Sequence, residues 1–372
     1  MPPADQDPYD KQHGGRRRAA DRAVYRSTAA DSITSVEAWE EALSRDLAAA
    51  GLSAFADEPF GGLLRACVLD VARLLHIEAS AHRLHSRPSE DEPAYQFLLP
   101  LQGSIRTTQE TRSAAVEPGC FAVLDTAVAY EIVFEATATL IIVSVPRQLV
   151  GIPPILLRRI TGTALGAGEG VSSTVLPLVV RLADELIARS WYSPVRLAYS
   201  VADLLTTLLL ENLSAVVPGG SAQGLMLEIT SYLDDHLGDP ELSTESVASA
   251  HYISSRYLRK LFEGQHVKVS EWIRARRLES CRRQLVDPVL AEEPVSAIAA
   301  RWGFPDPAHF SRLFKATYGS SPRQYRRDGL SHLQNDAGQS TTATAAPQRD
   351  IRVGPGDATS VPARTRHPRG PG

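Results

Sequence analysis

The chain has 372 residues, of which 43% are hydrophobic and 22% charged, and its net charge is −4. This length allows one to three domains with a sizeable core, and the net charge excludes a uniformly basic coat without excluding local basic patches. Three widely spaced cysteines, Cys67, Cys120 and Cys281, favour a reducing compartment over a disulfide framework.

The two ends of the chain have compositions typical of disorder. Segment 1–30 is polar and charged and has no apolar signal-peptide core. Segment 331–372 is rich in Ser, Thr, Ala, Pro and Gly. The apolar run 137–145 is too short to cross a bilayer and is better interpreted as a buried strand. We therefore predict a cytoplasmic protein with no membrane contact.

Residues 31–171 have the pattern of a β-rich domain. A helix is indicated at 37–47, where it would cap the domain, and strands are indicated at 121–124, 130–134 and 137–145. Short strands separated by turns, without a long helical pattern, predict a sandwich or barrel.

Residues 172–217 are helical by pattern. Four aliphatic residues of the first helix are expected near one face: Leu178, Leu182, Leu186 and Ile187. The second helix is apolar around most of its circumference, so it must bury more than one side, in its own domain or against another subunit. Residues 214–224 have the composition of a linker.

Residues 225–328 contain an imperfect repeat of short helices. Segment 255–263 aligns with 307–315, and three apolar positions match: Leu258 with Phe310, Leu261 with Leu313, and Phe262 with Phe314. A short Ala-containing helix precedes each segment, so each repeat predicts a helix, a tight turn and a second helix. Gly303 supplies a positive φ at the second turn, whereas Tyr252 stands at the matching position of the first, where that conformation would be strained.

The second helix of each repeat has an apolar side and a side rich in hydrogen-bond donors. We take these donor positions as candidate DNA contacts: Ser255, Arg256, Arg259 and Lys260 in the first repeat, and His309, Ser311, Arg312 and Lys315 in the second. A helix-turn-helix inserts such a helix into the DNA major groove, where Arg and Lys suit phosphates and the acceptor edge of guanine. Lys and Arg outnumber acids by nine to three over 254–283 and by six to one over 301–327, which predicts two DNA-attracting patches.

At these residues the chain resembles the AraC/XylS family of bacterial transcription regulators. The likeness rests on the following positions: Ile298-Ala299, Gly303-Phe304, Phe310-Ser311-Arg312, Phe314-Lys315, Gly319, Pro322 and Tyr325-Arg326. It implies seven helices in which a long central helix, about 270–286, joins two helix-turn-helix units. The two recognition helices would enter successive major grooves roughly 34 Å apart. Pro307 and Ala308 carry no side-chain donor although many relatives are polar there.

Residues 116–150 are similar, more loosely, to the AraC-binding-like sensor of the same family. The matching positions are Pro118-Gly119, Asp125-Thr126, Tyr130 and Pro146-Arg147. The resemblance implies an α+β chain, with a cupin-like β-barrel or sandwich sensor and flanking helices, followed by the all-α domain with two helix-turn-helix units.

The resemblance also implies a function and a set of partners. The chain would be a transcription regulator, most often an activator, that is controlled by a small-molecule effector of unknown identity. Its partners would be double-stranded promoter DNA, RNA polymerase and a second copy of itself. We expect no cofactor, no metal and a nucleoid-associated location.

Three alternatives stay open at this point. A cupin-type metal enzyme fused to a DNA-binding domain would need ligands among His76, Glu78, His82 and His85, although residues three apart on a strand face opposite sides. A redox sensor could use a cysteine such as Cys281, whose neighbouring arginines would lower the thiol pKa. A ligand-independent regulator could act through a protein partner.

Overall fold

The computed structural model describes residues 25–27, 31–47, 52–54, 60–69, 71–89, 93–166, 170–188, 194–263 and 267–330. The disorder predicted for 1–30 and 331–372 falls outside these residues, apart from residues 25–27. Tyr25–Ser27, which also belong to the segment predicted to be disordered, form a strand because their backbone pairs with residues 67–69.

Within the described residues, two antiparallel sheets form the N-terminal domain. The strands are β1 Tyr25–Ser27, β2 Asp31–Ile33, β3 Leu52–Ala54, β4 Gly62–Leu69, β5 Arg73–Ala79, β6 His82–Ser86, β7 Ala94–Gln102, β8 Ile105–Gln109, β9 Arg112–Val116, β10 Phe121–Asp125, β11 Tyr130–Phe134, β12 Ala138–Pro146 and β13 Ala164–Leu165. The larger sheet, sheet A, has the order β1-β4-β5-β12-β7-β10-β13, with β2 also paired to β4; the smaller, sheet B, has the order β3-β6-β11-β8-β9. The predicted sandwich and the strands predicted at 121–124, 130–134 and 137–145 are confirmed.

Sheet A is buried on both faces. Its inner face packs against sheet B, with Leu98 and Ile142 in that core. Its outer face, with Phe97 and Val143, belongs to a second core that continues into the helices. Strands buried on both sides carry apolar residues without alternation, which explains the unbroken run in β12.

An aromatic cluster closes one side of the sandwich. Helix α1, Val36–Leu47, places the fully buried Trp39 against His82, and the two ring centroids lie 6.1 Å apart. His82 stacks on Phe134 with centroids 4.2 Å apart. Burial lowers the pKa of His82 against the opposing effect of its hydrogen bond to the carbonyl of Ser80, so its neutral form is favoured inside the sandwich.

The remaining helices complete the sensor and form the C-terminal domain. They are α2 Arg147–Val150, α3 Pro154–Leu157, α4 Ser172–Ala188, α5 Pro194–Val216, α6 Ala222–Asp235, α7 Thr244–Ala250, α8 Ser255–Glu263, α9 Val269–Leu285, α10 Val295–Arg301, α11 Pro307–Tyr318 and a final helix, α12, over 322–330. Helices α6 to α12 are the seven implied by the resemblance, with α9 as the central one.

The linker predicted at 214–224 is shorter than expected, because α5 extends to Val216 and α6 begins at Ala222. None of the described helices could span a membrane.

Helix α4 packs on the outside of sheet A, and the residues predicted to lie near one face are divided between its two sides. Leu176, Val179 and Ala183 are buried there, while Leu178 is 47% exposed. The prediction that Leu178 shares one face with Leu186 and Ile187 is therefore wrong. Leu186 and Ile187 lie on the buried side, three and four residues after Ala183.

A buried polar cluster joins the two domains. Glu279 of α9 accepts hydrogen bonds from the hydroxyls of Tyr199 on α5, at 3.1 Å, and Tyr318 on α11, at 3.2 Å. Arg282 Nε lies 3.0 Å from the same carboxylate. Burial disfavours the charged guanidinium, but Glu279 and three neighbouring tyrosines together outweigh burial and raise the pKa of Arg282 well above its ordinary value. We call these four residues the Glu279 joint.

A second joint connects α9 to the end of the β-domain. Arg276 donates from Nη1 to the backbone oxygens of Gln148, at 3.0 Å, and Leu149, at 3.1 Å, in α2. Its Nε donates to Asp234 of α6 at 2.9 Å. Gly151 leaves room for this guanidinium, because a Cβ there would meet it. The central helix of the C-terminal domain is thus fixed to the sensor at two places.

Candidate DNA-binding surface

The repeat predicted from sequence is present as two helix-turn-helix units, α7–α8 and α10–α11. The amide of Tyr252 donates to Ser249 O at 3.1 Å, and the amide of Gly303 donates to Ala300 O at 3.1 Å. The amide that follows in each turn donates to the carbonyl five residues earlier. Both turn residues have positive φ, 56° for Tyr252 and 76° for Gly303. The two turns therefore have the same backbone form, although only one of them has glycine.

Gly303 is required by its surroundings as well as by its φ. A Cβ at this position would lie 2.5 Å from Nη1 of Arg277 on the central helix. Arg277 cannot move aside easily, because it donates to the carbonyls of Leu237, at 2.9 Å, and Asp239, at 2.7 Å. Tyr252 has no such neighbour and is 97% exposed.

Replacing Tyr252 by glycine should stabilise the C-terminal domain by about 0.5–1 kcal/mol. The left-handed conformation is unfavourable by roughly 1–2 kcal/mol for an L-residue, and the greater unfolded-state freedom of glycine offsets part of the gain. The measurement is hydrogen exchange of the α7 and α8 amides in the full chain. Tyr252→Ala is the control, since it removes the ring and keeps the Cβ. If the α7 and α8 amides were equally protected from exchange in the glycine and alanine variants, the backbone of Tyr252 would not be strained.

Helix α8 presents its predicted donors to solvent. Leu258 and Phe262 are buried against the rest of the domain. On the other side Arg256, Arg259 and Lys260 are exposed, and Ser255 is half-buried. The helix is capped by Ser254, whose Oγ accepts from the amide of Tyr257 at 3.2 Å.

Helix α11 has the same division, with an unusual start. Phe310 and Phe314 are buried, His309, Arg312 and Lys315 are exposed, and Ser311 is half-buried. Asp306 is the N-cap, and its Oδ1 accepts from the amides of Ala308, at 2.8 Å, and His309, at 3.2 Å. Pro307 occupies the first helical position, where its fixed φ is suitable and a missing amide is harmless.

One exposed ion pair in the first unit was not anticipated. Nη2 of Arg259 lies 3.4 Å from Oε1 of Glu245, with side chains 57% and 69% exposed. Such a pair contributes little to stability, so Arg259 remains able to turn toward a phosphate or base. Glu245 also lines a cleft of about 640 Å³ between the two units, together with Arg274 and His309.

Part of the positive charge counted along the sequence is paired within the protein. Six arginines of the two basic runs contact acidic side chains or backbone carbonyls: Arg276 with Asp234, Arg277 with Leu237 and Asp239, Arg282 with Glu279, Arg283 with Asp203, Arg301 with Glu293, and Arg326 with Ala291 and Glu293. The charge counts therefore overstated the DNA-facing charge. Exposed cations remain on α8 and α11 and at Arg274.

The sandwich interior is mostly apolar and contains a small cluster of polar side chains. The hydroxyl of Tyr130 donates to Gln96 Oε1 at 2.6 Å. Within the described part of the chain, the fully buried Thr107 hydroxyl has no hydrogen-bond partner. A buried hydroxyl of this kind can bind a ligand that brings a complementary polar atom.

The alternatives raised from sequence find little support in the described residues. There, no three His, Cys, Asp or Glu side chains converge on a metal position. His76 lies 2.9 Å from Asp184, whereas His82 is buried inside the sandwich and His85 is exposed on the opposite side of its strand. The redox alternative requires a lowered pKa at Cys281, but burial and then Glu279 raise the pKa of this thiol to about 12. Burial also raises the pKa of Cys67 to about 12.

A β-sandwich with a polar group inside, joined through helices to two helix-turn-helix units, defines a DNA-binding regulator with a sensor domain. Comparisons with known proteins agree. A helix-turn-helix domain model matches residues 247–328, and an AraC-binding-like domain model matches 39–210. The chain belongs to the AraC family of transcription regulators.

Individual relatives are transcription regulators as well. The chain is 32% identical to the transcriptional activator NphR of Rhodococcus over 263 residues, which are 68% of this chain and 76% of that protein. It is 29% identical to the arabinose operon regulatory protein of Escherichia coli over 137 residues, 36% of this chain and 46% of that one. The crystal structure of the AraC-like activator CuxR is 17% identical with a TM-score of 0.41, covering 68% of this chain and 94% of that one.

Proposed function

We propose that this regulator contacts its operator through both exposed recognition-helix faces. The proposed contacts are Ser255, Arg256, Arg259 and Lys260 from α8, and His309, Ser311, Arg312 and Lys315 from α11. The observation that carries the proposal is the pair of turns with identical hydrogen bonding, each followed by a helix with two buried apolar anchors and exposed cations. Arg256 and Arg259 suit guanine or phosphate, and Arg312 is the strongest candidate in the second unit.

Arg259→Ala and Arg312→Ala should each weaken operator binding by about 1–3 kcal/mol if the contact is a bidentate base contact. The operator is obtained by selection from random duplexes, and affinity is measured by fluorescence anisotropy at several salt concentrations. A phosphate contact would instead weaken binding to all sequences alike and reduce the salt slope by about one. Arg106→Ala, at an exposed position of sheet B, is the control. Wild-type affinity in both variants would contradict the proposed docking.

We propose further that the regulator is a homodimer that uses the exposed face of α4. Val171, Val175, Leu178 and Leu182 follow one another at intervals of four, three and four residues, the spacing of a coiled-coil seam. Val171 and Leu178 are 46% and 47% exposed, whereas Val175 and Leu182 are half-buried and pack partly on the core. Large apolar side chains in a continuous stripe favour burial against a second helix.

Leu178→Glu should shift the dimer toward monomer by placing a charge in the middle of this seam. Sedimentation equilibrium of the full chain measures the change, which we expect to be at least tenfold in dissociation constant. Val289→Glu is the matched control, because Val289 is 77% exposed on the C-terminal domain. A Leu178→Glu protein that dimerises like the wild type would exclude this face.

We propose that the effector binds inside the sandwich, near Thr107 and Tyr130. Its binding would alter promoter occupancy or contact with RNA polymerase. The protein would then act as an activator at nucleoid DNA in the cytoplasm. The two joints on α9 support such coupling, because they connect the sensor to the helix between the two DNA-binding units. Thermal-shift screening of small molecules, followed by transcription with purified polymerase, tests this. Transcription that is unaffected by every ligand that binds would favour the ligand-independent alternative.

A further inference from the structure

The leading turn of α11 is chemically unlike that of α8. Pro307 and Ala308 are both exposed and offer only hydrocarbon. The backbone amides of Ala308 and His309 are already engaged by the Asp306 carboxylate. The corresponding turn of α8 begins with Ser255 and Arg256. The second recognition helix therefore presents an apolar surface where the first presents donors.

Thymine is the base that offers an apolar group to such a surface. In the major groove its C5-methyl group is the hydrocarbon feature of the base edges, and alanine-sized side chains contact it. The carboxylate of Asp306, whose pKa is lowered by the hydrogen bonds from the His309 and Ala308 amides, stays charged beside it and would repel the O6 and N7 acceptors of guanine.

We propose that Pro307 and Ala308 read thymine methyl groups, so that the second unit selects thymine where the first selects guanine. The proposal rests on the proposed function, since it requires α11 to enter the major groove. It gives the departure at Pro307 and Ala308 a role: these residues replace hydrogen-bond reading by methyl recognition. His309 in the same turn and Arg312 one turn later supply hydrogen-bond donors.

The test removes single methyl groups from the DNA. In the duplex selected by the full-length protein, each thymine is replaced in turn by uracil, which lacks only the methyl. Burial of one such group corresponds to about a fourfold change in affinity. We expect this loss at one or two positions for the wild type. In Ala308→Gly at least one of these positions, the one that Ala308 contacts, should become insensitive to the replacement.

Ala316→Gly is the matched control, because Ala316 is an exposed alanine near the other end of α11. It carries the same helix penalty and should keep the wild-type sensitivity to uracil. The proposal is overturned if every uracil duplex binds within twofold of its parent, or if Ala308→Gly leaves the uracil sensitivity unchanged. Failure of the proposed function looks different: no sequence is selected, or Arg312→Ala and Arg259→Ala bind as the wild type does.

Discussion

Glu279→Gln should destabilise the folded chain by about 3–5 kcal/mol, the usual effect of removing one partner from a buried ion pair. Glutamine keeps the shape of the side chain, but it leaves the Arg282 guanidinium, which is 6% exposed, without the carboxylate that favours its charge. It also replaces the acceptor of two tyrosine hydroxyls that come from α5 and α11. Thermal and urea unfolding of the full chain measure the loss.

Tyr199→Phe is the matched control for Glu279→Gln. It removes one hydrogen bond to the carboxylate and keeps both charges and nearly all of the volume, so a loss of about 0.5–1.5 kcal/mol is expected. Because Tyr199 lies on the sensor side of the joint, this variant should also loosen the two domains relative to each other. A Glu279→Gln protein as stable as Tyr199→Phe would show that the joint contributes little.

Phe314→Ala should destabilise the C-terminal domain by about 3–5 kcal/mol and abolish operator binding near room temperature. Phe314 is fully buried and its ring packs against Phe310, Tyr318 and Tyr325, with centroids 5.6, 4.6 and 5.7 Å away. An alanine there leaves a cavity beneath the recognition helix, bounded by α12 on one side.

Two variants separate this effect from a general effect on α11. Leu313→Ala should be milder, because Leu313 is only half-buried. Thr317→Ala, at an exposed position of the same helix, should leave stability within about 0.5 kcal/mol of the wild type. Circular dichroism melting of the full chain, together with anisotropy on the selected operator, measures both. Intact melting and binding in Phe314→Ala would show that this anchor is dispensable.

The helix-turn-helix units were predictable because their signals are local. A buried pair three or four residues apart, such as Phe310 and Phe314, and a glycine at a turn can be recognised within a dozen residues. The first turn shows the limit of such reasoning, since Tyr252 adopts the conformation that its side chain disfavours. Packing of the flanking helices outweighs a local penalty of about 1–2 kcal/mol.

The candidate site was predicted less fully, because charge along a sequence does not show where its partners lie. Arg283 and Arg276 were counted toward a DNA-attracting surface, yet their carboxylates come from Asp203 and Asp234, residues distant in sequence. The pair between Arg259 and Glu245 was missed for the same reason. Leu178 was grouped with Leu186 and Ile187 because α4 is apolar on more than one side, and helical periodicity does not say which apolar stripe meets sheet A.

Sheet A separates two hydrophobic cores, and this arrangement has a mechanical consequence. On β12, Ile142 faces the sandwich interior and its neighbour Val143 faces the core that holds α4 and α5. Because the two residues are adjacent in the chain, a ligand that displaces Ile142 toward the helices also displaces Val143. A displacement of sheet A from inside the sandwich would be passed to α4 and α5, and α5 carries Tyr199 of the Glu279 joint. A small displacement of sheet A on the side of the sandwich interior would therefore strain the packing of α4 and α5 on its other side.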